Sequence, residues 1–227
     1  MYLIVLATLP SIVIIIFILR HDKYIKEPIN LLIKLFVVGA IIVIPAAILE
    51  SLFPSAKNQD IFDVFFSAFI GVALIEEGLK FIGVRLFSFK NYAFDEIYDG
   101  VIYCVMVSLG FATVENIMYV LSSGLSTAIL RALTAVPAHT IFAIVMGYYI
   151  SMGKFAHKKR FYYKFMSLTA PTLLHGTYDF ILFTNYDFAL LIFIPFVIYL
   201  YIKGIRIVKA TSDIPPVQND HNDNIEL

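Results

Sequence analysis

The strongest constraint in this sequence is a series of long apolar runs, spaced so closely that little chain is left between them. A helix that crosses about 30 Å of hydrocarbon needs about 20 residues, and runs of that kind recur along the whole chain. Seven are read as transmembrane helices: Tyr2 to Leu19, Leu31 to Phe53, Phe62 to Leu86, Ile97 to Leu121, Ala128 to Ile150, Phe165 to Phe183, and Phe188 to Ile207. The runs are continuously apolar and do not alternate in tens, which argues against a β-barrel. The expected fold is therefore an all-α membrane protein, a polytopic bundle of about seven transmembrane helices forming one domain over residues 1–210. The tail 211–227, TSDIPPVQNDHNDNIEL, is polar and is expected to be disordered. Composition agrees, with 60% apolar and 15% charged residues, where a soluble domain is nearer half and a quarter. A net charge of zero without a basic groove leaves no case for nucleic acid. The single cysteine, Cys104, excludes an internal disulfide framework. The first run lacks a basic lead and a small-residue cleavage site, so it reads as a helix and not a signal peptide.

Basic residues mark alternate loops. Arg20, Lys23 and Lys26 follow the first run, Arg85 and Lys90 the third, Lys154, Lys158, Lys159, Arg160 and Lys164 the fifth, and Lys203, Arg206 and Lys209 flank the last. The other side has Lys57, with Arg131 just inside its boundary. The positive-inside rule places the N-terminus outside and the C-terminus in the cytoplasm. The run HKKR at 157–160 is a topology signal first and a lipid or partner patch second.

Several side chains do not belong in hydrocarbon. Glu76, Glu77, Lys80, Glu115 and Asp179 lie well inside the runs, as do His139 and His175. Each charged residue at mid-membrane costs about 2.5–3.5 kcal/mol, so five facing lipid would cost roughly 12–17 kcal/mol. They must face one another, water or a metal. Counted inward at about 1.5 Å per residue, Asp179 and Glu115 fall roughly 6–10 Å below the outer surface, the two histidines 13–17 Å and the paired glutamates about 20 Å. Four runs thus aim polar groups at one region, taken as the core site between residues 62 and 183. Glu76 and Lys80 share a helix face, as do His175 and Asp179. Pro171 and Pro137 each free a carbonyl one turn earlier. Gly71, Gly78, Gly83 and Gly110 are expected to let helices approach closely.

Each feature has a structural reading beside the functional one. Glu76 with Lys80 alone is an ion pair, but Glu77 beside it adds a carboxylate that must hold a proton, bind a cation or activate water. His139 alone is a packing histidine. Glu115 with Asn116 reads as hydrogen-bonding glue between helices. Asp95, Glu96 and Asp99 read as solvated start-of-helix acids. Together the acids and imidazoles can activate water, relay protons or hold a divalent metal. No H-E-x-x-H, G-x-S-x-G, G-x-G-D or Walker A string occurs.

The strings EEGLK (76–80), DEIYDGVIYCVMVSLGFATVEN (95–116), RALTAVPAHTIFAIVMGYY (131–149) and LLHGTYDF (173–180) resemble, in order, the signature blocks of the PrsW family of bacterial intramembrane proteases. More distantly they are similar to the CAAX-processing and bacteriocin-protection membrane proteases, whose pattern is Glu-Glu-x-x-x-Arg, Phe-x-x-x-His and His-x-x-x-Asn/Asp. Glu76 and Glu77 match the first block, Phe111 the second, and His175 with Asp179 the last. Glu115 stands where the wider group has His, and Lys80 replaces Arg one residue closer. The resemblance implies extracytoplasmic, first-step (site-1) cleavage of a single-pass anti-sigma factor, which starts release of a stress-response sigma factor.

The resulting assignment makes Glu76, Glu77 and His175 catalytic, with one glutamate as general base on water. Lys80, Glu115, Asn116 and Asp179 support them. His139, His175, Asp179 and Glu115 are the candidate ligands of a divalent metal such as zinc, the alternative being a metal-free site. Partners are a single-pass membrane substrate and the lipid bilayer. The competing class is a proton- or ion-coupled transporter using a Glu/His relay, which usually shows paired repeats that this sequence lacks. A non-catalytic scaffold held together by the same cluster is the third.

Overall fold

The computed structural model describes residues 2–53, 60–156, 158–184, 186 and 188–217. Lys57, His157 and the tail beyond Val217, which entered the topology reading, lie outside the described residues. The elements are α1 (Tyr2–His21), α2 (Ile29–Ser51), α3 (Ile61–Phe66), a π-helical stretch Ser67–Ala73, α4 (Leu74–Phe87), α5 (Ile97–Leu133), α6 (Ala135–Phe155), α7 (Arg160–Phe183) and α8 (Ala189–Ser212), with no strand among the described residues. Each apolar run has its helix, the third being made of α3, the π-helical stretch and α4 end to end. Four stretches are long and apolar enough by themselves to cross a membrane: α1, α2, the stretch Ile97–Phe155 and α8. The third run carries Glu76, Glu77, Lys80 and Arg85, and its apolar character is diluted by them.

α5 is the axis of the bundle. Every residue from Ile97 to Thr113 is buried, because glycines let neighbouring backbones come against it. A Cβ on Gly39 of α2 would overlap the Val107 carbonyl oxygen, and one on Gly110 the Phe36 carbonyl oxygen. Of the four glycines expected to allow close approach, Gly110 meets backbone. Gly78 has nothing beside it, and Gly71 and Gly83 meet only side chains. Large apolar side chains such as Ile12, Ile44 and Leu191 remain exposed on α1, α2 and α8. Hydrocarbon, not water, is the solvent that such a surface suits.

The fourth and fifth runs join differently from the sequence reading. Helical turns continue past Leu121 to Leu133, interrupted by Gly124, whose φ of 82° lies in the left-handed region open to glycine. Arg131 Nε donates to Asn116 Oδ1 at 3.0 Å. In a straight helix those residues would be separated by about 22 Å of rise, so the chain folds back at Gly124. Residues 128–133, expected to open the fifth run, belong to this returning arm, and α6 starts at Ala135.

The basic loops gather at one end of the bundle. Ile25 N–H donates to Glu96 Oε1 at 2.9 Å. Lys154 Nζ donates to the Phe94 carbonyl at 2.6 Å, and Val217 N–H to the Asp95 carbonyl at 3.2 Å. Thr211 and Ser212, where the polar tail was taken to begin, close α8 and are buried. Asp95, Glu96 and Asp99 do start a helix, through a capping box in which the Asp99 side chain accepts from Glu96 N–H. Glu96 and Asp99 are buried and not solvated, because the α1–α2 loop folds over them.

Candidate active site

α4, α5, α6 and α7 bring the expected polar residues together. The π-helical stretch ends just before Glu76 and Glu77 and seats the Phe69 ring on Gly176, where a Cβ would overlap it. This contact fixes α4 against the residue that follows His175. π-Helical turns recur at functional sites; nothing in the sequence pattern announced this one.

Lys80 lies at the centre. Its Nζ donates to Glu76 Oε2 at 2.9 Å, to Glu77 Oε1 at 2.8 Å and to His139 Nδ1 at 3.2 Å, and lies 4.3 Å from the Phe111 ring centroid. One ammonium thus serves both glutamates, whereas the spacing suggested a pair with Glu76. Since Nδ1 of His139 accepts, its Nε2 carries the hydrogen and donates to Glu115 Oε2 at 2.9 Å. His175 is flanked on both nitrogens, with Nδ1 at 3.0 Å from Glu77 Oε1 and Nε2 at 3.2 Å from Asp179 Oδ2. The Phe142 ring stacks on His175 at 4.9 Å between centroids. Glu77 is fully buried, and its second oxygen, Oε2, has no hydrogen-bond partner.

A cavity of about 650 Å³ borders this cluster. Glu76, Glu115, His139, His175 and Asp179 line it; Glu77 and Lys80 lie behind that wall. The lining comes from the end of α2, the hairpin at Gly124, the start of α6, the end of α7 and the start of α8. Those termini are at the opposite end of the bundle from the basic loops.

The donor set that could hold a metal differs from the sequence assignment. Ligand atoms of Glu76, Glu77, His139 and His175 lie within 4.8 Å of one another. Glu115 and Asp179 sit one step further out, each on the far nitrogen of a histidine. Asn116 does not face the cluster. Its Nδ2 donates to the Ala7 carbonyl at 2.8 Å and its Oδ1 accepts from Arg131.

Three features escaped the sequence reading. Arg131, taken as a boundary residue, reaches back so that Nη2 lies 3.0 Å from Glu115 Oε2. Glu50, at the end of α2, lines the cavity; as an acid within the second run it carried a signal that was passed over. The carbonyl of Leu133, four residues before Pro137, accepts from Tyr201 OH at 2.8 Å, so the acceptor freed by that proline is taken by α8.

Comparison with known proteins agrees with the geometry. A protein named Protease PrsW from Clostridioides difficile (strain 630) is 38% identical over 206 residues, covering 88% of this chain and 87% of that protein. One of the same name from Geobacillus kaustophilus (strain HTA426) is 35% identical over 216 residues, covering 92% and 95%. Its namesake in Bacillus subtilis (strain 168) is 34% identical over 212 residues, again covering 92% and 95%. No solved structure matches. Residues 27–202 match the PrsW family intramembrane metalloprotease, and the chain, a membrane protein with several apolar helices able to span the bilayer, belongs to that family.

Proposed function

We propose that the chain is a membrane-embedded peptidase that hydrolyses a peptide bond of a single-pass membrane protein at the cavity between α2 and α7. The observation that carries this is the meeting of Glu76, His139 and His175 on one wall of a cavity large enough to admit a short peptide segment. Relatives named Protease PrsW support the same class of reaction. Seven crossings with the N-terminus outside put the cavity on the extracytoplasmic side, supported by the basic loops at the other end. An anti-sigma factor cut in a first, site-1 step is the substrate class the family resemblance favours.

In this reading Glu76 is the general base on water, because of the two glutamates it is the one that lines the cavity. Lys80 holds Glu76 and Glu77 in place as carboxylates. Glu77, from behind, orients His175 through Nδ1, and Asp179 lies beside Nε2, so a proton passes to the reacting carbonyl or the leaving amine from Nε2 only when the substrate takes the place of Asp179. Glu115 fixes the His139 ring.

The family's metal fits the residues present. Two carboxylates and two imidazoles within 4.8 Å are oxygen and nitrogen donors suited to zinc, and Oε2 of Glu77 is a buried acceptor without a hydrogen-bond partner. Glu76, Glu77, His139 and His175 would hold the ion, which supplies Lewis-acid polarisation and activates water. Lys80 bonds three of those four residues, so loading the ion requires the ammonium to give way.

The test is cleavage of a single-span substrate by purified protein in liposomes. Glu76→Gln and His175→Ala are expected to abolish product. Wild-type cleavage by both variants overturns the assignment. Loss of cleavage on chelation, restored by zinc and matched by elemental analysis, supports the metal; cleavage unaffected by chelation in protein free of metal overturns that branch.

A further inference from the structure

The cavity carries more negative charge than the reaction proposed above uses. Glu115 has Arg131, Glu76 and Glu77 have Lys80, and Asp179 has His175. Glu50 is left over. It lines the cavity, its Oε1 is shielded from solvent with no hydrogen-bond partner, and among the described residues no lysine or arginine forms an ion pair with it.

The surface leading to Glu50 has a definite shape. Val43, Ala46, Ala47 and Glu50 all line the cavity. Their spacing of three, four and seven residues puts them on one face of α2. The track starts at the level of the site, where Val43 and Ala46 pack with Phe111, the ring beneath Lys80. It runs outward along small apolar side chains and ends on a carboxylate. A lysine or arginine side chain has the matching form, an aliphatic stem that buries along apolar surface and a cation at its tip. A carboxylate shielded from water gains most from such a partner.

We propose that Glu50 determines specificity, reading a lysine or arginine of the substrate on the outward side of the scissile bond. This rests on the peptidase reading and adds to it the kind of sequence that is cut. Val43 and Glu50 are separated by about 10 Å of helix rise. An extended peptide advances about 3.3 Å per residue, which places the basic residue about three positions from the bond.

The experiment uses the full chain in liposomes and a single-span substrate whose cut site is fixed by mass spectrometry. Lysine, arginine, glutamine and glutamate are placed in turn at each of the four positions outward of the cut, and kcat/KM is measured. At one of these positions the basic substrates are expected to exceed the glutamine substrate at least tenfold and the glutamate substrate by more. Glu50→Gln is expected to bring basic and glutamine substrates within twofold of each other, and Glu50→Lys to favour glutamate. No charge preference at any position, or a preference that survives Glu50→Gln in protein of wild-type melting temperature, overturns the role of Glu50 and leaves the peptidase reading standing. Absence of cleavage for every substrate by the wild-type protein overturns both. If Glu50→Gln does not fold, the reversal in Glu50→Lys decides.

Discussion

Two clusters of ionisable side chains are buried at opposite ends of α5, and they are stabilised by different means. Toward the cavity, carboxylates and imidazoles are tied to one another and to the side-chain cations Lys80 and Arg131. Toward the basic loops lie Asp22, Glu27, Asp95, Glu96 and Asp99, of which Glu96 and Asp99 are held by backbone N–H groups. Asp99 accepts from Asp95 and Glu96 N–H, and Glu96 from Ile25 N–H. Glu27 accepts from Tyr103 OH, and Lys154 spends its donors on the Phe89 and Phe94 carbonyls. Under the function proposed above, the difference separates function from architecture. Backbone partners fix a loop to a helix, and the unpaired oxygens that remain, on Asp22, Asp95 and Asp99, do not line the cavity. Side-chain partners facing a cavity can exchange one another for water, a peptide or a metal.

The largest effect that this contrast predicts is at Lys80. Lys80→Met leaves two buried carboxylates without their cation, a change that costs about 3–5 kcal/mol. Lys154→Met at the other end removes bonds to two carbonyls and strands no ion pair, and is expected to cost about 1–3 kcal/mol. Unfolding in detergent measures both. The double variant Lys80→Met/Glu77→Gln should recover part of the loss, since it removes one of the stranded charges. Equal costs at the two lysines would erase the distinction.

The next effect concerns turnover. Glu76→Gln should lower cleavage by about 10²–10⁴-fold, the range for removing a general base, with a small change in melting temperature. Asp99→Asn, which disturbs the capping box, should do the reverse, costing about 0.5–2 kcal/mol of stability with cleavage retained per folded molecule. A turnover loss at Asp99 as large as that at Glu76 would make the two clusters functionally alike.

The sequence marks which residues gather at the cavity end, and leaves their detailed contacts unread. Glu76, Glu77, His139 and His175 stood out because hydrocarbon penalises them, and that penalty can be read without coordinates. What could not be read was direction. Lys80 bonding both glutamates, Asn116 turning to α1, and Glu115 and Asp179 lying one step outside the compact donor set all depend on rotation about helix axes. The return of Arg131 depends on Gly124, whose left-handed φ no neighbouring residue signals. Asp95, Glu96 and Asp99 read as solvated from sequence, because nothing local shows that the α1–α2 loop covers Glu96 and Asp99.

A smaller effect distinguishes the ends by pH. Burial pushes the Glu27 carboxyl up to about 7, against the hydrogen bond from Tyr103, and Asp22 and Asp95 raise it further. A carboxyl raised in the folded state favours folding when protonated. Its contribution is complete below the ordinary carboxylate range and is lost as pH rises through about 7. The wild-type protein should therefore lose stability between pH 5 and pH 8, and Glu27→Gln should flatten that slope by being relatively more stable at pH 8. A variant that gains nothing at pH 8 relative to pH 5 would show that Glu27 is solvated in the folded state.

The smallest effect lies at the cavity end, where one backbone bond is made by a side chain. Tyr201 OH donates to the Leu133 carbonyl at 2.8 Å, the acceptor four residues before Pro137, whose ring nitrogen has no hydrogen to give. Tyr201→Phe should cost about 0.5–1.5 kcal/mol, the net worth of one hydrogen bond. If the hydroxyl compensates for the proline, Pro137→Ala, which restores an N–H, should make the same Tyr201→Phe change cost less, and a double-mutant cycle measures that coupling. Strict additivity would mean that Tyr201 only packs α8 against the hairpin. Coupling would mean that the entry to α6, and with it the placement of His139 one turn further on, depends on a donor from α8.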